Sequence, residues 1–121
     1  MMGNALIVDD SATERAILTG CLQEIGISVS IATTGEEALE KIAVETPDLI
    51  VLDIVLPGRS GFEICRELKG ADNTNQIPII LCSTKGTDMD KFWGKKQGAN
   101  AYISKPINQE ELIKTVKQLI G

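Results

Sequence analysis

The sequence predicts an α/β fold: a mainly parallel five-stranded sheet of order 2-1-3-4-5, with helices covering both faces. Three observations lead there. Five short apolar runs alternate with five helix-length amphipathic stretches, the pattern of strand–helix–strand units in a parallel sheet. Four of those runs are apolar almost throughout, as strands buried on both faces must be. The run at 27–31 instead alternates Ile27, Val29 and Ile31 with Ser28 and Ser30, which marks an edge strand with one face less buried.

Taken in order, Ala5-Leu6-Ile7-Val8 forms the first strand and runs into Asp9-Asp10. Ser11, three residues before Glu14, opens the first helix, because a hydroxyl there caps the free backbone N–H groups of the first turn. The same spacing at Thr34 with Glu37, Ser60 with Glu63 and Asn108 with Glu111 opens three more helices. Ile17, Leu18, Cys21, Leu22 and Ile25 recur at helical spacing, as do Ala38, Leu39, Ile42 and Ala43, and later Leu112, Ile113, Val116, Leu119 and Ile120. These stripes are expected to face the core. Gly26 and Gly98 follow helical stretches where a left-handed residue ends a helix at little cost. Leu49-Ile50-Val51-Leu52 runs into Asp53, followed by a turn at Pro57-Gly58. After a polar loop from Gly70 to Gln76, Ile79-Ile80-Leu81-Cys82 runs into Ser83-Thr84, and Ala101-Tyr102-Ile103 into Ser104-Lys105-Pro106.

At 121 residues the chain is expected to form one domain, residues 1–121, with a single core and no separate output module. Twelve basic against seventeen acidic residues give a net charge of −5, which opposes binding to nucleic acid or to an anionic membrane. A protein partner or a small ligand is expected instead. Cys21, Cys65 and Cys82 are widely spaced in apolar or helical settings, so they read as buried thiols rather than a disulfide framework or metal cluster. No apolar run approaches the roughly 20 residues that span a bilayer, and the chain enters its first strand without a basic leader, so a cytoplasmic location is expected.

In open parallel sheets, ligands bind outside the carboxyl ends of the strands. Asp9, Asp10, Asp53 and Lys105 all fall just past such ends. Carboxylates gathered there are costly unless a cation or a transferred anion balances them. Ser11 already serves as the helix cap, so two successive aspartates exceed what capping needs, and a hard cation with oxygen ligands accounts for both. Asp53 ends an apolar run, where an unpartnered charge is unfavourable. Lys105 is placed to pair with Asp53 or with a bound phosphoryl oxygen, and the Lys105-Pro106 bond is a candidate cis peptide. The Ser83 hydroxyl, at the end of the fourth strand, is placed to donate to an anion carried by Asp53.

These residues resemble the receiver domains of two-component response regulators, of the single-domain chemotaxis type. The resemblance spans nearly the whole chain. It rests on Ile7-Val8-Asp9-Asp10-Ser11, on Asp48-Leu49-Ile50-Val51-Leu52-Asp53 with Pro57-Gly58 and Gly61, on Ser83, on Gly98-Ala99-Asn100-Ala101-Tyr102 and on Lys105-Pro106. It implies a flavodoxin-like three-layer sandwich, with Asp53 as phosphoacceptor, Asp9 and Asp10 as an acidic pair for Mg2+, and Asp53 with the carbonyl of Val55 completing the protein ligands. It further implies Ser83 as switch hydroxyl, Tyr102 as switch aromatic and Lys105 as phosphate contact. The implied partners are a sensor histidine kinase or phosphotransfer protein and a downstream target protein. The implied chemistry is self-phosphorylation and dephosphorylation rather than turnover of a separate substrate. Phe92-Trp93-Gly94-Lys95-Lys96-Gln97-Gly98-Ala99, together with Asp53-Ile54-Val55-Leu56-Pro57-Gly58, looks like regulators of type IV pilus twitching motility and phototaxis. Many relatives carry Thr where this chain has Ser83, and Val55 and Lys85 occupy positions that tune dephosphorylation.

Three other classes compete. A metal-dependent phosphatase with an aspartyl nucleophile usually carries a second acid two residues later, where this chain has Val55. A flavin-binding electron carrier shares the strand order but would be repelled by Asp9-Asp10 at its phosphate loop. A degenerate receiver, acting as a phosphorylation-independent interaction module, is distinguished by failure to incorporate phosphate. Lys91, Lys95 and Lys96 form either a solvated face or a basic surface for an acidic target.

Overall fold

The computed structural model describes residues 3–120, so Met1, Met2 and Gly121 of the expected 1–121 domain lie outside the described residues. Strands and helices alternate along the chain: β1 (Asn4–Val8), α1 (Ala12–Glu24), β2 (Ser28–Ala32), α2 (Gly35–Val44), β3 (Leu49–Asp53), α3 (Gly61–Lys69), β4 (Ile79–Ser83), α4 (Asp88–Lys96), β5 (Ala101–Ser104) and α5 (Gln109–Ile120). All strand pairs are parallel and the sheet order is β2-β1-β3-β4-β5, as the alternation and the serine-bearing edge strand predicted. β3 and β4 are buried at every residue, whereas Ser28 and Ser30 of β2 are exposed.

Successive strand residues point to opposite faces, and here each face builds its own core. Ala5, Ile7, Leu49, Val51, Ile80, Cys82 and Ile103 pack with Leu18, Cys21 and Leu22 of α1 and Leu112 and Val116 of α5. Leu6, Val8, Ile50, Leu52, Ile79 and Leu81 pack with Ala38 and Ile42 of α2 and Ile64, Cys65 and Leu68 of α3. Three stripe positions depart from expectation. Ile17 is 44% exposed and Ala43 is exposed, because each sits one residue to the solvent side of a fully buried neighbour, Leu18 and Ile42. Ile113, one residue past buried Leu112, is half-buried and, unlike the half-buried Ile25, Leu39, Leu119 and Ile120, does not pack against either core.

All four sequence-read caps form. The side chains of Ser11, Thr34, Ser60 and Asn108 accept from the backbone N–H three residues on, at 3.3, 3.1, 3.3 and 2.9 Å. The reciprocal capping box falls instead at Thr87 and Asp90 of α4, where Asp stands in place of the usual Glu or Gln and so leaves a weaker sequence signature. Gly26 and Gly98 adopt positive φ, as expected, and the Lys105–Pro106 peptide is cis. All three cysteines are free and buried. Among the described residues no helix is long and apolar enough to cross a membrane.

Candidate functional site

The ladders extend one step past the strand ends, and this positions the rim residues. The Asp9 N–H donates to the Ala32 carbonyl at 3.1 Å and the Lys105 N–H to the Ser83 carbonyl at 2.9 Å. Asp53 is itself the last residue of β3, paired with Cys82 of β4. Asp9, Asp53 and Ser83 are buried, whereas Asp10 faces solvent.

The expected convergence is present. One carboxylate oxygen each from Asp9, Asp10 and Asp53 lies within 4.8 Å of the others. Lys105 Nζ lies between two of these aspartates, 2.7 Å from Asp9 Oδ2 and 3.3 Å from Asp53 Oδ2, so the sequence-based pairing with Asp53 is joined by a shorter one to Asp9. The remaining oxygens are held by the backbone: Ser11 N–H donates to Asp9 Oδ1 at 2.9 Å and Val55 N–H to Asp53 Oδ1 at 3.2 Å.

One ammonium cannot neutralise three carboxylates. Burial pushes the Asp53 carboxyl above its ordinary pKa; Lys105 opposes this, and the neighbouring Asp9 charge reinforces it. Burial also works against the Lys105 ammonium, but the hydrogen bond to Asp9 and the charge of Asp53 outweigh it, holding Lys105 above the usual lysine value. Three aspartates and one lysine leave two formal negative charges. Oxygen ligands at about 2.1 Å from a hard cation sit about 3 to 4 Å apart in an octahedron, so the three oxygens need only a small adjustment to embrace one divalent ion. Hard oxygen donors and a −2 balance fit Mg2+.

Beside the acidic cluster, the two expected switch residues meet at one residue of the β4–α4 loop. Ser83 Oγ accepts from the Lys85 N–H at 3.2 Å, and the half-buried Tyr102 hydroxyl donates to the Lys85 carbonyl. Burial, followed by the Asp90 charge, pushes the Tyr102 phenol up to about 12, so it remains a donor at neutral pH. Val55 places its side chain in solvent, 53% exposed, and Thr84 is exposed with no partner role at the site.

Two supporting residues were not singled out for a physical role from the sequence. Arg15, in the second turn of α1, reaches back with Nη1 to the Asp9 carbonyl at 3.0 Å. Gly61 lies so close beneath the site that a Cβ there would stand 2.1 Å from the Asp53 carbonyl oxygen, while its N–H donates to the Ile54 carbonyl at 2.8 Å. A glycine directly after the Ser60 cap, where better helix formers are available, is the signal that could have revealed this close approach.

The fold and the acidic rim together define a receiver-type module, and residues 5–117 match the response regulator receiver domain family. The chain belongs to that family and is a receiver domain of two-component signalling. It is similar to protein PilH of Pseudomonas aeruginosa, at 41% identity over 120 residues that cover 99% of each chain. Among solved structures it resembles a response regulator from Chloroflexus aurantiacus, with a TM-score of 0.95, 34% identity and coverage of 99% of this chain and 98% of that one. It also resembles a chemotaxis protein of Vibrio cholerae, with a TM-score of 0.90, 33% identity and coverage of 98% and 99%. The sequence-based likeness to pilus-motility and chemotaxis regulators agrees with these relatives.

Proposed function

We propose that this receiver is a phosphorylation switch in which Asp53 accepts a phosphoryl group from a histidine kinase or phosphotransfer protein. The observation that carries the reading is the position of Asp53: a buried carboxylate at the end of the central strand, 3.3 Å from Lys105 Nζ and grouped with Asp9 and Asp10. A carboxylate oxygen of Asp53 attacks phosphorus. The bond from phosphorus to the donor imidazole nitrogen breaks, its electron pair stays on nitrogen, and the imidazole takes up a proton. The product is an acyl phosphate, which water later cleaves. Asp9, Asp10 and Asp53, with the Val55 carbonyl, are the groups that would hold Mg2+, and the bound ion supplies charge neutralisation on the phosphoryl oxygens. Lys105 supplies the same from the other side and is already desolvated in place.

The Lys85 peptide offers a physical route from this event to the surface. The phosphoryl group offers Ser83 a stronger acceptor for its hydroxyl than the neutral surroundings do. Turning toward it gives up the bond from the Lys85 N–H, and the carbonyl of that same residue holds Tyr102. The β4–α4 loop and Tyr102 therefore change together, and with them the α4–β5 surface, a local charge event biasing a two-state element. The likeness to PilH and to a chemotaxis protein supports an output in motility or taxis. Amide hydrogen exchange with and without beryllofluoride, a phosphoryl mimic, tests the relay. Changed protection across residues 83–103 is expected; changes confined to Asp9, Asp10 and Asp53 would overturn it.

A further inference from the structure

Ser30 of the edge strand is in register with Leu6 of β1, so both side chains project from the same face of the sheet. Leu6 packs with Ala38 and Ile42 of α2, which places Ser30 on the helix-covered side, where a longer apolar side chain would ordinarily fill the space. A serine leaves that space open. A cavity of about 390 Å3 lies there, between the second half of α2 and the first residues of β1 and β2. Its size falls within the range of small-molecule sites, and it sits at the opposite end of the sheet from Asp53. Buried Leu6 and Pro47 supply apolar wall, and Val44, 89% exposed, adds an apolar lip at the mouth.

The polar part of the wall is ordered and carries net negative charge. The Asn4 N–H donates to Asp48 Oδ2 at 2.9 Å and Asn4 Oδ1 accepts from the Asp48 N–H at 3.1 Å, which aims Asn4 Nδ2 at Glu45 Oε1, 2.7 Å away. Glu45 is thereby held at the cavity, and Glu40 of α2 lines it as well. Lys41 is the one cation in the lining, and its Nζ donates to the Ile31 carbonyl. The Ser28 N–H donates to Gly3 and the Ala32 carbonyl accepts from Asp9, so the even-numbered residues of β2 turn their backbone toward β1 and the Ile31 carbonyl faces the outer edge. The Lys41 ammonium is thus engaged by the unpaired edge of the sheet. Among the described residues neither Glu40 nor Glu45 forms an ion pair. Two carboxylates against one ammonium leave the cavity with negative charge, and the last turn of α2 adds the negative end of the helix dipole. An anionic ligand would be repelled there, and a wholly apolar one would strip water from the carboxylates without replacing it. We propose that this cavity binds a small organic amine in its ammonium form. The cation sits at Glu45 and Glu40 and donates to the Ser30 hydroxyl, while the apolar body covers Leu6 and Pro47 beneath Val44.

The probe is phenethylamine, set against phenethyl alcohol, which has the same shape without the charge, and phenylacetate, which has the opposite charge. Amide NMR shifts of the full chain report where each one binds. Expected with the amine are saturable shifts at Asn4 to Leu6, at Ser30 and at Glu40 to Glu45, with none at Asp53, and at least ten-fold weaker binding of the alcohol and of phenylacetate. Glu45→Gln keeps an oxygen for Asn4 Nδ2 while shedding the charge, and should weaken amine binding at least ten-fold. Ser30→Leu fills the cavity and should abolish it. Both substituted residues are exposed, and far-UV circular dichroism confirms that each variant is folded. Equal response to amine and alcohol, shifts that do not saturate, or binding indifferent to both substitutions would overturn the proposal. So would tighter binding of a lysine-bearing peptide than of phenethylamine, which would make the cavity a seat for a protein side chain instead of a free amine.

Discussion

Replacing Asp53 with Asn is expected to stabilise the fold while removing the group on which the proposed function depends. At an effective dielectric of about 20, the contact with Lys105 at 3.3 Å attracts by about 5 kcal/mol. The repulsion from Asp9, at no more than 4.8 Å, is at least about 3.5 kcal/mol. The net attraction, at most about 1.5 kcal/mol, is smaller than the several kcal/mol that desolvating a buried carboxylate costs. Asparagine keeps the oxygen that accepts from the Val55 N–H and sheds the charge, so a gain of about 1–2 kcal/mol follows. That corresponds to a rise in Tm of about 5 °C for a chain of this size. The folded-state pKa of Asp53 is raised, so between the unfolded value and the folded one the native state binds the extra proton. Wild-type stability therefore falls as pH rises through that window. The advantage of Asp53→Asn should be absent at pH 3, below the ordinary carboxylate range, and complete once Asp53 is ionised. Urea unfolding in EDTA, followed by far-UV circular dichroism, measures this; Trp93 is too exposed to report on the core. Equal or lower stability of Asp53→Asn at pH 7 would refute the charge-crowding argument.

Lys105→Met should cost about 3 kcal/mol, since it leaves buried Asp9 and Asp53 without their cation, and pairing it with Asp53→Asn should recover a large part of the loss in the same unfolding assay. Gly61→Ala, which elsewhere in a helix stabilises by up to about 1 kcal/mol, should here destabilise and slow phosphorylation. The added methyl meets the Asp53 carbonyl at 2.1 Å, and an unfolding midpoint at or above wild type would show that the loop yields freely.

The fold was legible because strand burial leaves a direct trace in composition: Leu49 to Leu52 is apolar without interruption, whereas Ser28 and Ser30 break the edge strand. The caps were legible for the same reason, being local. What escaped was set by tertiary contact. Ile17 satisfies the helical period as well as Leu18 does, and only the placement of α1 on the sheet decides which of them is covered. α4 shows no apolar stripe toward the core because a glycine, packed on Leu81 and Tyr102, makes that contact. The acids and the lysine of the site could be located from strand ends alone, but the closer approach of Lys105 to Asp9 than to Asp53 depends on side-chain geometry across three strands. Arg15 reaches the site through a carbonyl, a bond that carries no sequence signature.

In the proposed switch, Asp53 takes up a phosphoryl group with Mg2+ as the required ion. Intact-mass measurement after incubation with acetyl phosphate and Mg2+ tests it directly. One added phosphoryl group is expected on the wild-type chain, none when EDTA replaces Mg2+, and none on Asp53→Asn, which remains folded. Equal labelling of Asp53→Asn, or labelling indifferent to EDTA, would contradict it.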